Sequence, residues 1–330
     1  MIIFIIHRKG KLNGAKKISL EVVDLAKKRN LKFKMSPYPH DFRYYRLGRY
    51  IIEYLRFVVF HLLHFSKATK IYFTGSNNTL GFSKDIPLIL VLNLLYRKHE
   101  KIVHFHSSTI KLSENLHHTF AWLYQSWTHI YLGQNLVPIT PPKKFHIISN
   151  YADLSLKKRE DKKRKNVNIG YYGNIVEFKG IYDYNKIAAN YDENDSVAFY
   201  SAGIGDCGLV YDQIHHYGEL LNIEEKERYL NSIDILVYPS FWDAQPLSIL
   251  EAFHCNTVVI AYDVGTISEL LVENNDVLPM GDIDGIIRRI DYYIKDLKTL
   301  DKVKYKNYQQ IMYKFNKENF IRSVESFIFK

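Results

Sequence analysis

Short runs of consecutive apolar residues alternate along the chain with longer stretches in which apolar positions recur every three or four residues. The first pattern predicts buried strands and the second predicts amphipathic helices. In the first half the strands read MIIFII, LKFKMSPY, KIYFTGS, KIVHFHSS, HIYLG and FHIISN, with helices expected near 14–29, 46–66, 84–97 and 112–127. In the second half they read VNIGYYG, VAFYSAG, DILVYPS and TVVIAYDVG. Helices are expected there near 179–190, 224–232, 246–254 and 266–273, and a helical pattern continues from about 295 to the end. Strands that are apolar throughout suit parallel sheets covered on both faces. Strand and helix alternating in this way make the fold class α/β, with one doubly wound sheet in each half.

Length and composition fit that picture. The 330 residues are 47% hydrophobic and 24% charged, which suits two globular domains with substantial cores. Two cysteines, Cys207 and Cys255, form no disulfide framework and suit a reducing cytoplasm. The opening MIIFII lacks a basic leader and is short for a signal peptide. No run reaches the roughly 20 apolar residues that a spanning helix needs.

Charge divides the chain. Residues 1–150 hold 23 Lys/Arg against 7 Asp/Glu, and residues 151–330 hold 22 against 28. A basic half faces an anionic substrate, an anionic membrane surface or nucleic acid, or is simply a lysine-rich surface. The segment Lys157–Lys165, KKREDKKRK, has no apolar residue and reads as a solvated linker. The expected domains are therefore 1–155 and 156–310, with a C-terminal segment at 311–330.

Three motifs carry less than they suggest. Gly203-Ile204-Gly205-Asp206-Cys207-Gly208 spells the dinucleotide fingerprint, but it follows the second strand of its half and opens no evident helix. Asp282-Ile283-Asp284 precedes a helical pattern, and Asp282 reads as its N-cap. His104 and His106 share one face of a strand but lack a third ligand at suitable spacing.

The segment Ser240–Phe253, SFWDAQPLSILEAF, holds two acids in apolar surroundings. It follows the strand DILVYPS, and Pro246 suits the first turn of the next helix. Asp243 is then placed in the crevice beyond the carboxyl ends of the strands. The amides of Gln245 to Ser248, including that of Leu247, favour an anion such as phosphate. Glu251 lies about 7.5 Å farther along the helix. A buried carboxylate needs donors, and a sugar diol supplies two. A core Lys, Arg or hydroxyl would serve equally well, with Asp243 as a helix cap.

The segment Pro239–Glu269 resembles the signature of the retaining glycosyltransferases of the GT-B fold, family four type (glycosyl transferases group 1). That signature has two acids with seven residues between them, here Asp243 and Glu251, then a "VG" turn, here Val264-Gly265-Thr266, and a later Glu, here Glu269. Gly173 to Gly180 resembles the loop after the first strand of the family's C-terminal domain, with Asn174 where an Arg is usual. Tyr217-Gly218 resembles the segment beside the base, and Ser149 to Asp153 the interdomain segment. Asn13-Gly14-Ala15 resembles the N-terminal glycine loop, and His106 a strand-end histidine.

The resemblance implies two Rossmann-like domains facing across a cleft, with the C-terminal helix packing back on the N-terminal domain. It implies a nucleotide-diphosphate-sugar donor on the second domain, bound by Gly173, Asn174, Gly203, Tyr217, Gln245, Pro246, Leu247 and Glu251. Glu251 would hold the ribose, Asp243 the donor sugar and Lys179 the diphosphate, with His106 beside the sugar. Asn13, Gly14 and His106 would stand on the acceptor side. No cofactor and no divalent metal are expected. The expected activity is retaining transfer of a hexose-type sugar to a glycan or lipid-linked glycan, as in bacterial surface polysaccharide assembly. The stretch FRYYRLGRYIIEYLRFVVFHLL mixes Arg43, Arg46, Arg49 and Arg56 with aromatics, as segments lying on membranes do, although an amphipathic helix packed on the sheet fits the same pattern. It suggests a cytoplasmic protein peripheral on the inner face of the plasma membrane. The alternatives are a nucleotide-sugar epimerase of similar fold and a basic nucleic-acid-binding protein, although no nucleic-acid motif is present.

Overall fold

The computed structural model describes residues 1–6, 14–39, 47–76, 79–106, 122–152 and 166–330. The linker at 157–165, Asn13, Asp153, Arg43, Arg46 and most of the helix expected at 112–127 lie outside the described residues. The chain divides into two compact units, Met1–Ser149 with Ile321–Lys330, and Asn150–Phe320.

Among the described residues the first unit holds six parallel strands in the order β2-β1-β3-β4-β5-β6. They are β1 (Ile2–Ile5), β2 (Phe33–Met35), β3 (Lys70–Gly75), β4 (Glu100–Phe105), β5 (Thr128–Tyr131) and β6 (Phe145–Ile147). Three of its helices are α1 (Gly14–Lys28), α2 (Leu47–His64) and α3 (Thr79–Leu95). β1 is buried along its whole length, as its unbroken apolar composition requires, and β3 is buried too, its Lys70 paired with Glu100 at 2.9 Å. At the other end of the chain, Arg29 pairs with Glu325 and the His146 ring stacks on Phe327 at 4.0 Å.

The second unit holds the strands β7 (Val167–Tyr172), β8 (Val197–Ala202), β9 (His215–His216), β10 (Ile235–Tyr238), β11 (Val258–Tyr262) and β12 (Val277–Leu278). Their order is β12-β11-β10-β7-β8-β9, again all parallel. Counted from β7, this is the doubly wound arrangement whose direction reverses between the first and fourth strands, β7 and β10. The helices are α4 (Ile181–Ala189), α5 (Ile223–Ser232), α6 (Leu247–His254), α7 (Ile267–Leu270), α8 (Ile283–Lys295) and α9 (Leu297–Tyr313), and α10 (Lys317–Val324) straddles the division between the units after Phe320. Separate apolar cores cover the two faces of the sheet. One includes Leu236, Leu250, Phe253 and Ile267, and the other Val237, Ile181, Tyr184 and Ile290.

Two expectations are corrected here, and two short strands were not expected. The helix expected at 266–273 is one turn, α7, because the chain is already extended at Leu271. Pro246 is the cap of α6, extended at φ −69° and ψ 124°, and not its first residue. The two-residue edge strands β9 and β12 have no apolar run long enough to announce them.

Candidate active site

Open parallel sheets present ligand sites where the strand order reverses, so the loops after β7 and β10 come first. After β7 the chain runs through Gly173 and Asn174 to a single 3-10 turn, Glu177–Lys179. Gly180 then starts α4 in the left-handed conformation, at φ 79°. A side chain there would meet the Pro239 carbonyl oxygen at 1.9 Å, so only glycine lets this loop lie against the end of β10. The Phe241 amide donates to the Phe178 carbonyl at 3.0 Å and fastens the two loops together.

This seam brings two of the expected site residues into contact. The Lys179 ammonium donates to Asp243 Oδ2 and to the Trp242 carbonyl, the latter at 2.9 Å. The Tyr238 hydroxyl, at the end of β10, donates to the same carboxylate oxygen. Burial, and then the Asp243 charge, raise the Tyr238 phenol far above its ordinary range, so it remains a donor. Both members of the ion pair keep some exposure, 17% for the Lys179 side chain and 22% for that of Asp243. The pair is therefore reachable from solvent.

The start of α6 is fixed from two sides. Gln245 is buried, and its side-chain oxygen accepts from the Asn150 amide at 2.5 Å while its carbonyl accepts from Asn150 Nδ2 at 2.9 Å. The Val264-Gly265-Thr266 turn presses on the same loop. Thr266 donates to the Ala244 carbonyl through its amide at 2.8 Å and its hydroxyl at 3.1 Å. Gly265 has φ 59°, and a Cβ there would lie 2.2 Å from that carbonyl oxygen. Among the described residues no side chain caps α6, and with Pro246 as its cap the helical amides begin at Leu247. The Gln245 amide precedes the helix and so is not among its first-turn donors.

Glu251 is buried on α6, and its Oε1 accepts from Lys226 of α5 at 3.3 Å. The Tyr172 hydroxyl, at the end of β7, also bonds to it. Burial first, and then the Glu251 charge, raise the Tyr172 phenol and push the Cys255 thiol up to about 12. Lys226 itself is 30% exposed, so the acid answers to a cation at the surface and not to one in the core. Asn222 places that lysine by capping α5. Its side chain accepts from the Glu225 amide at 2.9 Å, while Glu225 accepts from the Leu221 amide at 2.7 Å.

The glycines of the fingerprint-like stretch serve the loop after β7. Gly203 has φ 153°, and a Cβ there would lie 1.6 Å from the Gly173 carbonyl oxygen. Gly205 has φ 155° and presses on Ile175. The Ile175 amide donates to the Ile204 carbonyl at 2.7 Å. Only a three-residue 3-10 turn, Cys207–Leu209, follows, so these glycines open no phosphate-binding helix. Tyr217 stands 42% exposed beside β8, its ring 5.4 Å from Tyr229. Asp282 caps α8 by accepting from the Gly285 amide at 2.8 Å.

In the first unit Gly14 opens α1, whose Ser19 hydroxyl lies 3.2 Å from the Thr74 hydroxyl and 3.4 Å from His106 Nε2. His106 follows β4 with its ring centroid 3.9 Å from that of His104. Burial lowers the His106 pKa to about 4 and holds His104 well below the usual range, so both rings are neutral near pH 7. Among the described residues no third metal ligand joins them. Sequence reasoning missed Tyr172, Lys226 and Tyr238. The tyrosines lie in strands read as core, and Lys226 lies in the charged run EEKER, which reads as a solvated face.

Residues 155–310 match the model of the family described as glycosyl transferases group 1. No curated protein matches the chain by sequence. Among solved structures, the sucrose-phosphate synthase of Thermosynechococcus elongatus superposes with a TM-score of 0.76 at 14% identity, covering 98% of this chain and 97% of that one. The lipopolysaccharide outer core galactosyltransferase WaaB gives 0.73 at 12% identity, covering 99% of each chain. A TarM variant from S. aureus, in complex with fondaparinux, α-GlcNAc-glycerol and UDP, gives 0.62 at 16% identity, covering 82% of this chain and 57% of that one. The fold is thus GT-B, and residues 155–310 match the glycosyl transferases group 1 family.

Proposed function

We propose that the chain is a retaining glycosyltransferase that takes a hexose-type sugar from a nucleotide-diphosphate donor held by its second unit. The observation that supports this most is the Lys179–Asp243 pair at the reversal point between β7 and β10, inside the segment that matches the family. The UDP bound in the TarM structure is the kind of ligand that such a site suits.

Cleavage of the donor leaves negative charge on the departing diphosphate, and fixed positive groups act most strongly where charge develops. Lys179 supplies a cation there and the first turn of α6 supplies amides. The single turn of α7 adds little dipole. This arrangement needs no divalent ion. Donor binding redirects Lys179 from Asp243 toward phosphate, and Asp243 then faces the sugar hydroxyls. Glu251 holds the ribose diol, with Lys226 and Tyr172 keeping its carboxylate in place. Tyr217 and Gly218 flank the base. His106 and Gly14, in the first unit, serve the acceptor side, and a neutral His106 hydrogen-bonds to sugar without adding charge. The acceptor is a glycan or lipid-linked glycan.

Glu251→Ala tests the assignment. Transfer from a nucleotide sugar should disappear while the circular dichroism spectrum stays that of the parent, and undiminished transfer refutes it. An epimerase would convert the donor with no acceptor present, so product analysis with and without acceptor separates the two activities.

A further inference from the structure

The helix α2 turns an apolar face outward. Its inward side carries Tyr50, Phe57 and His61, all buried. At 100° per residue these three fall within an arc of about 40°. Ile51, Ile52, Leu55, Val59, Leu62 and Leu63 are 48–67% exposed and fill an arc of about 120° on the opposite side. Arg49 and Arg56 stand at one edge of that arc and, with Ile52 and Glu53, line a cavity of 410 Å³. The neighbouring helix α3 adds Leu94, 73% exposed, and Trp122 is 60% exposed. Asn93 Nδ2 donates to the Leu123 carbonyl at 2.7 Å and ties the segment carrying Trp122 to α3.

A helix in a water-soluble unit ordinarily turns its apolar stripe inward and leaves no aliphatic face of this size in water. Charge selects what covers it. The half of the chain that carries this face has 23 Lys/Arg against 7 Asp/Glu, so two copies of it repel each other overall. An anionic lipid surface is complementary to it. The 18-residue helix is about 27 Å long with its apolar arc parallel to the axis. Among the described residues no helix is long and apolar enough to cross a membrane, so a helix of this kind lies in the interface.

We infer that α2 is a docking surface for an anionic bilayer. Its aliphatic arc enters the boundary between headgroups and acyl chains, roughly 5–10 Å deep, and Arg49 and Arg56 meet lipid phosphates. This inference is independent of the donor reading, since it needs no sugar nucleotide.

Flotation of the full chain with vesicles tests it. The protein should float with phosphatidylglycerol vesicles at low salt and stay behind with pure phosphatidylcholine. Leu55→Glu with Leu62→Glu, at positions already open to water, should cut the bound fraction at least about tenfold without changing the melting temperature by more than a few degrees. Arg49→Gln with Arg56→Gln should remove the preference for anionic lipid and reduce its salt dependence. Failure of the parent protein to float with phosphatidylglycerol at low salt overturns the inference. So does parent-like flotation of both double variants. Sedimentation showing a parent dimer that the leucine variant converts to a monomer would assign the face to a second copy, and would also overturn it.

Discussion

The ammonium of Lys179 is bonded to the carboxylate of Asp243, joining the loop after β7 to the loop after β10. A cation and an anion held at the reversal point of a parallel sheet form a switchable pair. A phosphate can take the cation and sugar hydroxyls can take the anion. Lys179→Met removes the cation and leaves Asp243 bonded to Tyr238. Turnover should fall by about 10²–10³, as on loss of one fixed donor to a developing oxyanion. Steady-state assays at saturating donor check this, and turnover within threefold of the parent contradicts it.

Gly203→Ala should damage the fold and not the chemistry. The added methyl would lie 1.6 Å from the Gly173 carbonyl oxygen at a backbone angle of 153°. A displaced loop after β7 and a strained backbone should together cost at least about 2 kcal/mol. Urea unfolding of parent and variant measures the difference. An unchanged midpoint would mean that the loop is not pressed on β8 as described.

Acid should weaken the first unit in a defined window. Burial lowers the His61 pKa to about 3, that of His106 to about 4 and that of His104 well below its usual range. Unfolded histidine titrates near 6.5, so above that pH neither state takes up a proton and these rings contribute no slope. Below it the unfolded chain takes up protons that the folded chain refuses, and stability falls until the folded pKa is reached. Each fully buried ring contributes up to about 1.4 kcal/mol per pH unit. Buried Asp85, whose pKa is raised by burial, works in the opposite sense. Melting temperatures at pH 7.5, 6.5 and 5.5 should be nearly level above 6.5 and should drop below it. A level profile down to 5.5 contradicts the buried neutral state.

Much of this was legible in the sequence, and the remainder was hidden for physical reasons. Short, unbroken apolar runs such as ILVY and VVIAY, rich in Val and Ile, read as covered strands, so the two parallel sheets followed from them. Asp243 and Glu251 stood out because acids rarely lie among Phe, Trp, Ile and Leu without a purpose. Their partners did not stand out. Tyr238 and Tyr172 look like core aromatics, and only the fold aims their hydroxyls at the two acids. Lys226 sits 25 positions before Glu251, and only the packing of α5 beside α6 brings them to 3.3 Å. The stretch that forms α2 stood out for its arginines and aromatics, but periodicity identifies an apolar face without saying which way it turns, and only the fold turns this one outward.

The central claim is that Glu251, buried on α6, holds the sugar of a nucleoside diphosphate whose phosphates lie at the start of the same helix. Thermal unfolding of parent and Glu251→Ala protein with UDP, GDP and ADP tests it most directly. A ligand at 100 times its dissociation constant stabilises the folded state by about 2.7 kcal/mol. At least one of the three should raise the parent melting temperature by several degrees and leave the variant unmoved. If none shifts the parent, or if the variant shifts as far as the parent, Glu251 is not the ribose ligand and the donor site lies elsewhere.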